Sequence, residues 1–242
     1  MLNHDQTGIP SDFFRAWNQG VHPDLYELEN GAFDREGLVW AALAGLAPWE
    51  GRVLLDLGCG TGFWLPRYAE QAASVIGVEP DPELLEAARE RPGGASVLHG
   101  SAEHIPLPDN SVDVVHARFA YFFPSPQHDC SAGLAEVLRV LRPGGSLVVI
   151  DNDQNDGEFA DLLEAANAAD GQGEGGFIAA WWKDRGASTT AVMSSWTFER
   201  PEELAEVLRM EFPYGAADNW LAGNPGRIRL SYGYLLHHLR KG

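Results

Sequence analysis

Three glycines at alternate positions, Gly58, Gly60 and Gly62, follow an apolar run in the stretch VLLDLGCGTGFW, and Asp56 stands two residues before the first of them. Glycine in such a turn permits positive φ and, lacking a Cβ, lets a ligand approach the backbone closely. Turns of this kind hold nucleotide-like cofactors, and spacing discriminates among them. A dinucleotide fingerprint reads G-x-G-x-x-G, whereas here the third glycine comes one residue early. A phosphate loop places Lys and then Ser or Thr after its last glycine; Phe63 and Trp64 stand there instead. Seventeen residues beyond Gly62 lies Glu79, whose carboxylate can accept two hydrogen bonds from ribose hydroxyls. The pattern favours a cofactor with a free ribose and no phosphate.

A parallel sheet is what positions such residues, because ligands of open α/β sheets sit beyond the carboxyl ends of the strands. Between residues 52 and 151 short apolar runs alternate with helical patterns, the signature of strand-helix-strand units. Strands are expected at 53–57, 74–79, 96–99, 112–117 and 146–150. A helix at 63–73 carries Pro66 in its first turn, where a missing N–H is tolerated. Asp81 caps the next helix, with Pro82 at its first position. Leu134, Val137, Leu138 and Leu141 share one face of a helix at 129–141, which Pro143, Gly144 and Gly145 end. Helices are expected at 12–18 and 33–47 before this region. Beyond it come a helix at 158–168, the glycine-rich loop DGQGEGGF, a strand at 188–198, a capped helix at 201–210 and a strand at 227–236.

Composition bounds the partners. The chain has 242 residues, 45% of them hydrophobic, enough for one well-packed domain. Seventeen Lys and Arg against thirty-five Asp and Glu leave a formal charge of −18, which repels a phosphate backbone unless basic residues cluster. The arginines are scattered singly, so no nucleic-acid partner is expected. Cys59 and Cys130 are the only cysteines, too few for a disulfide framework or a zinc site, and they fit a reducing compartment. The first thirty residues lack a basic segment followed by an apolar core, and no run of eighteen apolar residues occurs. A cytoplasmic location and no membrane partner are the expectation.

Four segments in register, VLLDLGCGTG, the acidic end of VIGVEP, HGSAEHIPLPDNSVDVVHAR and EVLRVLRPGGSLVVID, resemble the class I S-adenosylmethionine-dependent methyltransferases, in particular the small-molecule group with the DLGCGTG motif. The resemblance spans residues 51–151. It implies an α/β fold, a Rossmann-like seven-stranded, mostly parallel sheet with helices on both faces and an antiparallel closing strand. It also implies one domain over 1–242, with a helical cover at 1–48, a cofactor-binding core at 49–151, and a substrate cover with closing strands at 152–242. The implied cofactor is S-adenosylmethionine, with S-adenosylhomocysteine as product. Asp56 and the turn of Gly58, Cys59, Gly60 and Gly62 would line the methionine moiety, and Glu79 with Pro80 the ribose. Ala102 and Glu103 would flank the adenine. The segment Ser101-Ala102-Glu103 departs from the usual Asp before a small residue, so either Ser101 or Glu103 accepts the adenine amino group. His116 to Arg118 would face the methyl and carboxylate side.

Methyl transfer from a sulfonium is an in-line displacement that needs alignment and exclusion of water more than a fixed catalytic group. A base matters where the acceptor arrives protonated, and His116, at the expected end of the fourth strand, is the candidate, with cofactor contact or plain packing as the alternative. Trp17, Tyr26, Arg118, Tyr121, Asp151 and Trp181 are candidates for binding a small-molecule methyl acceptor at O, N or C. Phe13, Phe14, Trp17 and Tyr26, with Trp181 and Trp182, would either close over an apolar or aromatic ligand or pack in the core. Asp151 and Asp153 would bind substrate or cap a helix; no metal is expected, because the fourth strand lacks a matching acid. The alternative function is a regulatory protein of the same fold that binds the cofactor without transfer, and the assembly expected is a monomer or homodimer.

Overall fold

In the computed structural model, which describes residues 9–13, 22–170, 175–212 and 215–242, the expected strand-helix alternation yields five parallel strands. They are β1 (Val53–Leu57), β2 (Ser74–Glu79), β3 (Ser96–His99), β4 (Val112–Arg118) and β5 (Leu141–Asn152). With β6 (Ser188–Thr197) and β7 (Arg229–Arg240) they form a seven-stranded sheet in the order β3-β2-β1-β4-β5-β7-β6. β7 runs antiparallel to both β5 and β6. The strand order reverses between β1 and β4, so the loops at their carboxyl ends diverge and leave a crevice for a ligand.

Side chains alternate across the sheet, and each face is covered. On one face Leu54, Val114, Val148 and Ile150 pack with Trp40 and Leu43 of α2 (Leu38–Leu46), Leu65 and Tyr68 of α3 (Leu65–Ala69), Phe159 of α6 (Glu158–Asp170) and Leu204 of α8 (Pro201–Glu211). On the other, Leu55, Leu57, Val115, Ala117, Leu147 and Val149 pack with Leu134 and Val137 of α5 (Ser131–Val140) and Trp182 of α7 (Gly175–Asp184). Each such Val, Leu, Ile or Phe side chain taken fully from water contributes roughly 1.5–3 kcal/mol. α4 (Pro82–Glu90) begins as expected, with the Asp81 carboxylate accepting the Glu83 amide at 3.0 Å.

Several boundaries differ from the sequence reading. The helix expected at 33–47 starts only at Leu38, because Asp34 turns the chain at φ +47° and its carboxylate accepts the Trp40 amide at 3.1 Å and the Ser194 hydroxyl at 2.6 Å. Before it lies an unanticipated helix, α1 (Pro23–Ala32); Glu29 and Asn30 are buried along with Tyr26, so an apolar stripe does not announce it. The helix expected at 63–73 shrinks to α3, since the Ala73 amide already donates to the Arg52 carbonyl and draws the chain into β2. Pro143, Gly144 and Gly145 lie inside β5, which opens with Leu141 beside Val112 and shifts register before Ser146 pairs Val114. α7 and α9 (Ala216–Gly223) were not foreseen. Residues 14–18 of the expected first helix, Phe14 and Trp17 among them, lie outside the described residues, as do residues 171–174 of the glycine-rich loop.

Candidate functional site

The glycine turn is held in the left-handed region, with φ +74° at Gly58 and +56° at Gly60. The Gly58 and Cys59 amides both donate to the Val78 carbonyl, at 2.8 and 3.1 Å, which ties the turn to the end of β2. A Cβ on Gly58 would stand 2.5 Å from the Cβ of Ala120, and one on Gly60 would stand 2.9 Å from the Tyr26 hydroxyl. These two glycines let the loop after β4 and the helix α1 approach the turn. Between them runs a cavity of about 290 Å³, lined by Gly58 and Gly60, Glu79 to Asp81, Gly100 to Ala102, Arg118 to Tyr121, and Tyr26. Asp12, Phe13, Leu84, Phe123 and His128 complete much of its wall.

Glu79 closes one side. Its Oε2 accepts the Gly60 amide at 2.8 Å and its Oε1 the Asp81 amide at 2.9 Å. Burial pushes its carboxyl up to about 7, against the two amides that favour the charged form. Each oxygen keeps a lone pair beyond these bonds, so the carboxylate can still accept from a ligand hydroxyl. α1 is fastened above the turn. The Thr61 hydroxyl donates to Glu27 at 2.6 Å, and Arg91, at the end of α4, pairs with Glu27 and donates to the Thr61 carbonyl at 2.9 Å.

The loop after β4 forms the far wall. Phe119 and Tyr121 sit at φ +48° and +58°, positions costly for side chains of this size. Surrounding bonds hold them: the Phe119 amide donates to the Ile150 carbonyl at 3.0 Å, and the Tyr121 hydroxyl accepts the Gly133 amide at 3.1 Å and donates to Glu103 Oε1 at 2.8 Å. Gly133 is required there, since a Cβ would meet the Tyr121 ring at 2.2 Å. Arg118 lays its guanidinium over Trp64, 4.3 Å from the ring centroid. It lowers the Asp56 carboxyl, which burial nevertheless raises to about 6.

Gly58, Gly60, Glu79, Pro80, Ser101, Ala102, Tyr26, Arg118 and Tyr121 thus meet at one cavity, and other residues named from sequence do not. His116 is a correction: its side chain points to the same sheet face as Arg118 but two residues back along the strand. There it is fully buried, with Nδ1 3.1 Å from the Tyr68 hydroxyl and the ring edge-on to Trp49. Burial lowers its pKa to about 3, so it is neutral, and it does not line the cavity. Asp56 shares that buried face. Cys59 turns away beneath β2, its sulfur where a Cβ on Gly77 would lie, and Gly62 serves the packing of α4, where a Cβ would come within 3.0 Å of Ala88 Cα. Glu103 is engaged by Tyr121 rather than lining the cavity. Asp151 is buried, accepts the Asn152 amide at 2.7 Å and is raised by burial to about 6. Trp181 is a packing residue on α7: its indole donates to Asp129 at 3.3 Å, and Arg185 stacks 3.6 Å from its ring. Asp12, Phe119 and Ala120 line the cavity without having been singled out, because no spacing rule links them to the glycine turn.

Residues 55–149 match the family model described as a methyltransferase domain. An uncharacterized methyltransferase of Mycobacterium tuberculosis is 37% identical over 131 residues, 54% of this chain and 50% of the relative. The malonyl-[acyl-carrier protein] O-methyltransferase of Serratia marcescens is 34% identical over 122 residues, 50% of this chain and 46% of that protein. The chain spans about half the length of the curated relatives it matches. Among solved structures, the YcgJ protein of Bacillus subtilis aligns with a TM-score of 0.56 at 18% identity, covering 85% of this chain and 98% of its own. The [4+2]-cyclase SpnF aligns at 0.50 and 20% identity, covering 84% and 80%. These two likenesses establish the fold.

Proposed function

We propose, from the premise that residues 55–149 are a class I methyltransferase domain, that the chain binds S-adenosylmethionine in the cavity beyond β1, β2 and β4 and methylates a small organic acceptor. The observation that carries this reading is the pairing of Gly60 with Glu79: a glycine turn on the cavity wall whose amide is bonded to a carboxylate with acceptor capacity to spare. Three further features fit the cofactor. Gly58 and Gly60 put bare backbone on the cavity wall where the methionine moiety would lie, Glu79 can accept from both ribose hydroxyls, and the apolar Pro80, Leu84 and Ala102 can bracket a purine.

When bound, the cofactor supplies a methyl group on a positively charged sulfur, which leaves by in-line displacement. The protein's share is placement and dryness. Tyr26, Phe119 and Phe123 would exclude water from the reacting end. Arg118, the one arginine or lysine lining the cavity among the described residues, would orient a carboxylate of cofactor or acceptor. Where the acceptor arrives protonated, His128 is the imidazole on the wall among the described residues, and it replaces His116 as the group able to take a proton. No helix among the described residues is long and apolar enough to cross a membrane, and a cytoplasmic site of action is part of this reading.

Calorimetric titration with S-adenosylhomocysteine tests the cofactor, and transfer of isotope-labelled methyl groups to a metabolite panel tests the reaction. Binding followed by transfer is the expected result. Binding without transfer to any acceptor would favour the regulatory alternative, and no binding would overturn the proposal.

A further inference from the structure

The sheet ends on one side at β3 and on the other at β6, and an outer strand offers a row of unpaired backbone groups to any chain that can lie beside it. The two edges are built differently. β3 is four residues long, and Arg89 on α4 donates its Nε to the Val97 carbonyl at 3.3 Å. β6 is ten residues long. From Gly186 to Phe198 there is no charged residue and no proline, in a chain that is 21% charged, and the register of β6 with β7 runs from end to end without a bulge. Charges, prolines and bulges are the usual guards of a sheet edge; β6 has none of them. Part of this edge is closed from within, where Phe33 bridges Trp196 and the Asp34 amide donates to the Ser195 carbonyl at 3.1 Å. That bond also gives the strand its phase. Ser195 turns its carbonyl away from β7, so along the antiparallel ladder Met193, Ala191 and Thr189 turn both N–H and C=O the same way. No described residue bonds to any of these backbone groups. The open stretch therefore runs from Ser188 to Ser194, and Ala191 is its middle residue.

We propose that β6 pairs with β6 of a second copy of this chain, antiparallel across a two-fold axis through Ala191, so that one sheet continues through both protomers. The stretch is its own complement. Around that axis Ala191 faces Ala191, and Thr189 of one copy faces Met193 of the other, each pair exchanging both hydrogen bonds that β7 leaves unused. The closed ends fix the register. A slip one way sets Thr189 against Ser195, whose carbonyl is already taken by Asp34; a slip the other way runs off the strand at Ala187, whose amide donates to the Trp182 carbonyl at 3.1 Å. Absence of charge is what lets two chains of formal charge −18 meet here rather than repel. The exposed Met193 then gains a neighbour across the axis.

Analytical ultracentrifugation of the whole chain across a dilution series tests this. The wild-type protein should sediment as a dimer that dissociates on dilution, and the Thr189, Ala191 and Met193 amides should exchange hydrogen more slowly as concentration rises. Ala191→Pro removes an amide that β7 does not use and puts a ring where the partner strand would lie, so it should weaken the dimer about tenfold or more while melting near the wild-type temperature. Ala191→Lys and Ala191→Glu alter an exposed side chain and set like charges opposite each other at the axis. Each alone should dimerise more weakly than the wild type, and an equal mixture should associate more tightly than either. A wild-type protein that stays monomeric would overturn the proposal, and slow exchange of the same amides in that monomer would mean that another part of the same chain lies on the edge. A dimer that survives Ala191→Pro unchanged, or a mixture of the two charged variants that gains nothing, would overturn it as well.

Discussion

Glu79 Oε2 accepts the Gly60 amide at 2.8 Å, so the acid at the end of β2 and the turn at the end of β1 hold each other in place. Burial makes this corner of the cavity sensitive to protons, because it lifts the Glu79 carboxyl to about 7 against the pull of the two amides. A ligand hydroxyl bonds best to the ionised form. Affinity for S-adenosylhomocysteine should therefore be full above pH 7 and fall as pH drops through about 7, by up to tenfold per unit. Titration calorimetry from pH 5.5 to 8.5 measures this, and Glu79→Gln should bind weakly with little pH dependence. In the unliganded protein the sign is opposite. A carboxyl raised on folding favours the folded state below its unfolded pKa, and that contribution is lost as pH rises through about 7, so Glu79→Gln should gain most stability at alkaline pH.

Gly60→Ala places a methyl group 2.9 Å from the Tyr26 hydroxyl and forces an L residue to φ +56°. The backbone cost alone is about 1–2 kcal/mol, and α1 must lift to make room. Thermal melting should show a modest loss of stability, with a much larger loss of cofactor affinity. Wild-type affinity in the folded variant would remove the turn from the site.

His116→Ala should act on stability rather than chemistry. It deletes a fully buried ring packed on Tyr68 and Trp49, and truncations of this size cost about 2–5 kcal/mol. Methyl transfer measured well below the melting temperature should stay within a few-fold of wild type, whereas His128→Ala should lower turnover of an acceptor that must lose a proton. The reverse pattern would restore His116 as the base.

Arg118→Met keeps the packing on Trp64 but removes the cation that lowers Asp56 and Glu29. Leaving these buried acids uncompensated should cost about 1–3 kcal/mol. The loss should appear at pH 8, where Asp56 is ionised, and shrink as pH falls below 6 and the acids take up protons. Denaturant melts at the two pH values make the comparison, and an equal loss at both would mean that Arg118 acts through packing alone.

What was legible in the sequence is what depends on local pattern. The apolar runs of β1, β2 and β3, the Pro82 start of α4, the alternate glycines and Glu79 each declare themselves within a few residues, because strand burial, helix entry and positive φ are decided by neighbours in the chain. The sequence carried these residues as far as a cofactor with a free ribose. Tertiary structure decided which way side chains face and what lies opposite them. Because β4 runs toward the cavity, His116 lies two residues short of it, packed on Tyr68 and Trp49, while Arg118 on the same face reaches the wall. α1 escaped notice because part of its buried face is polar. Asp12 joined the site through one hydrogen bond to Glu103, far along the chain. Proximity of that kind is set by how the whole sheet closes, and no local spacing encodes it.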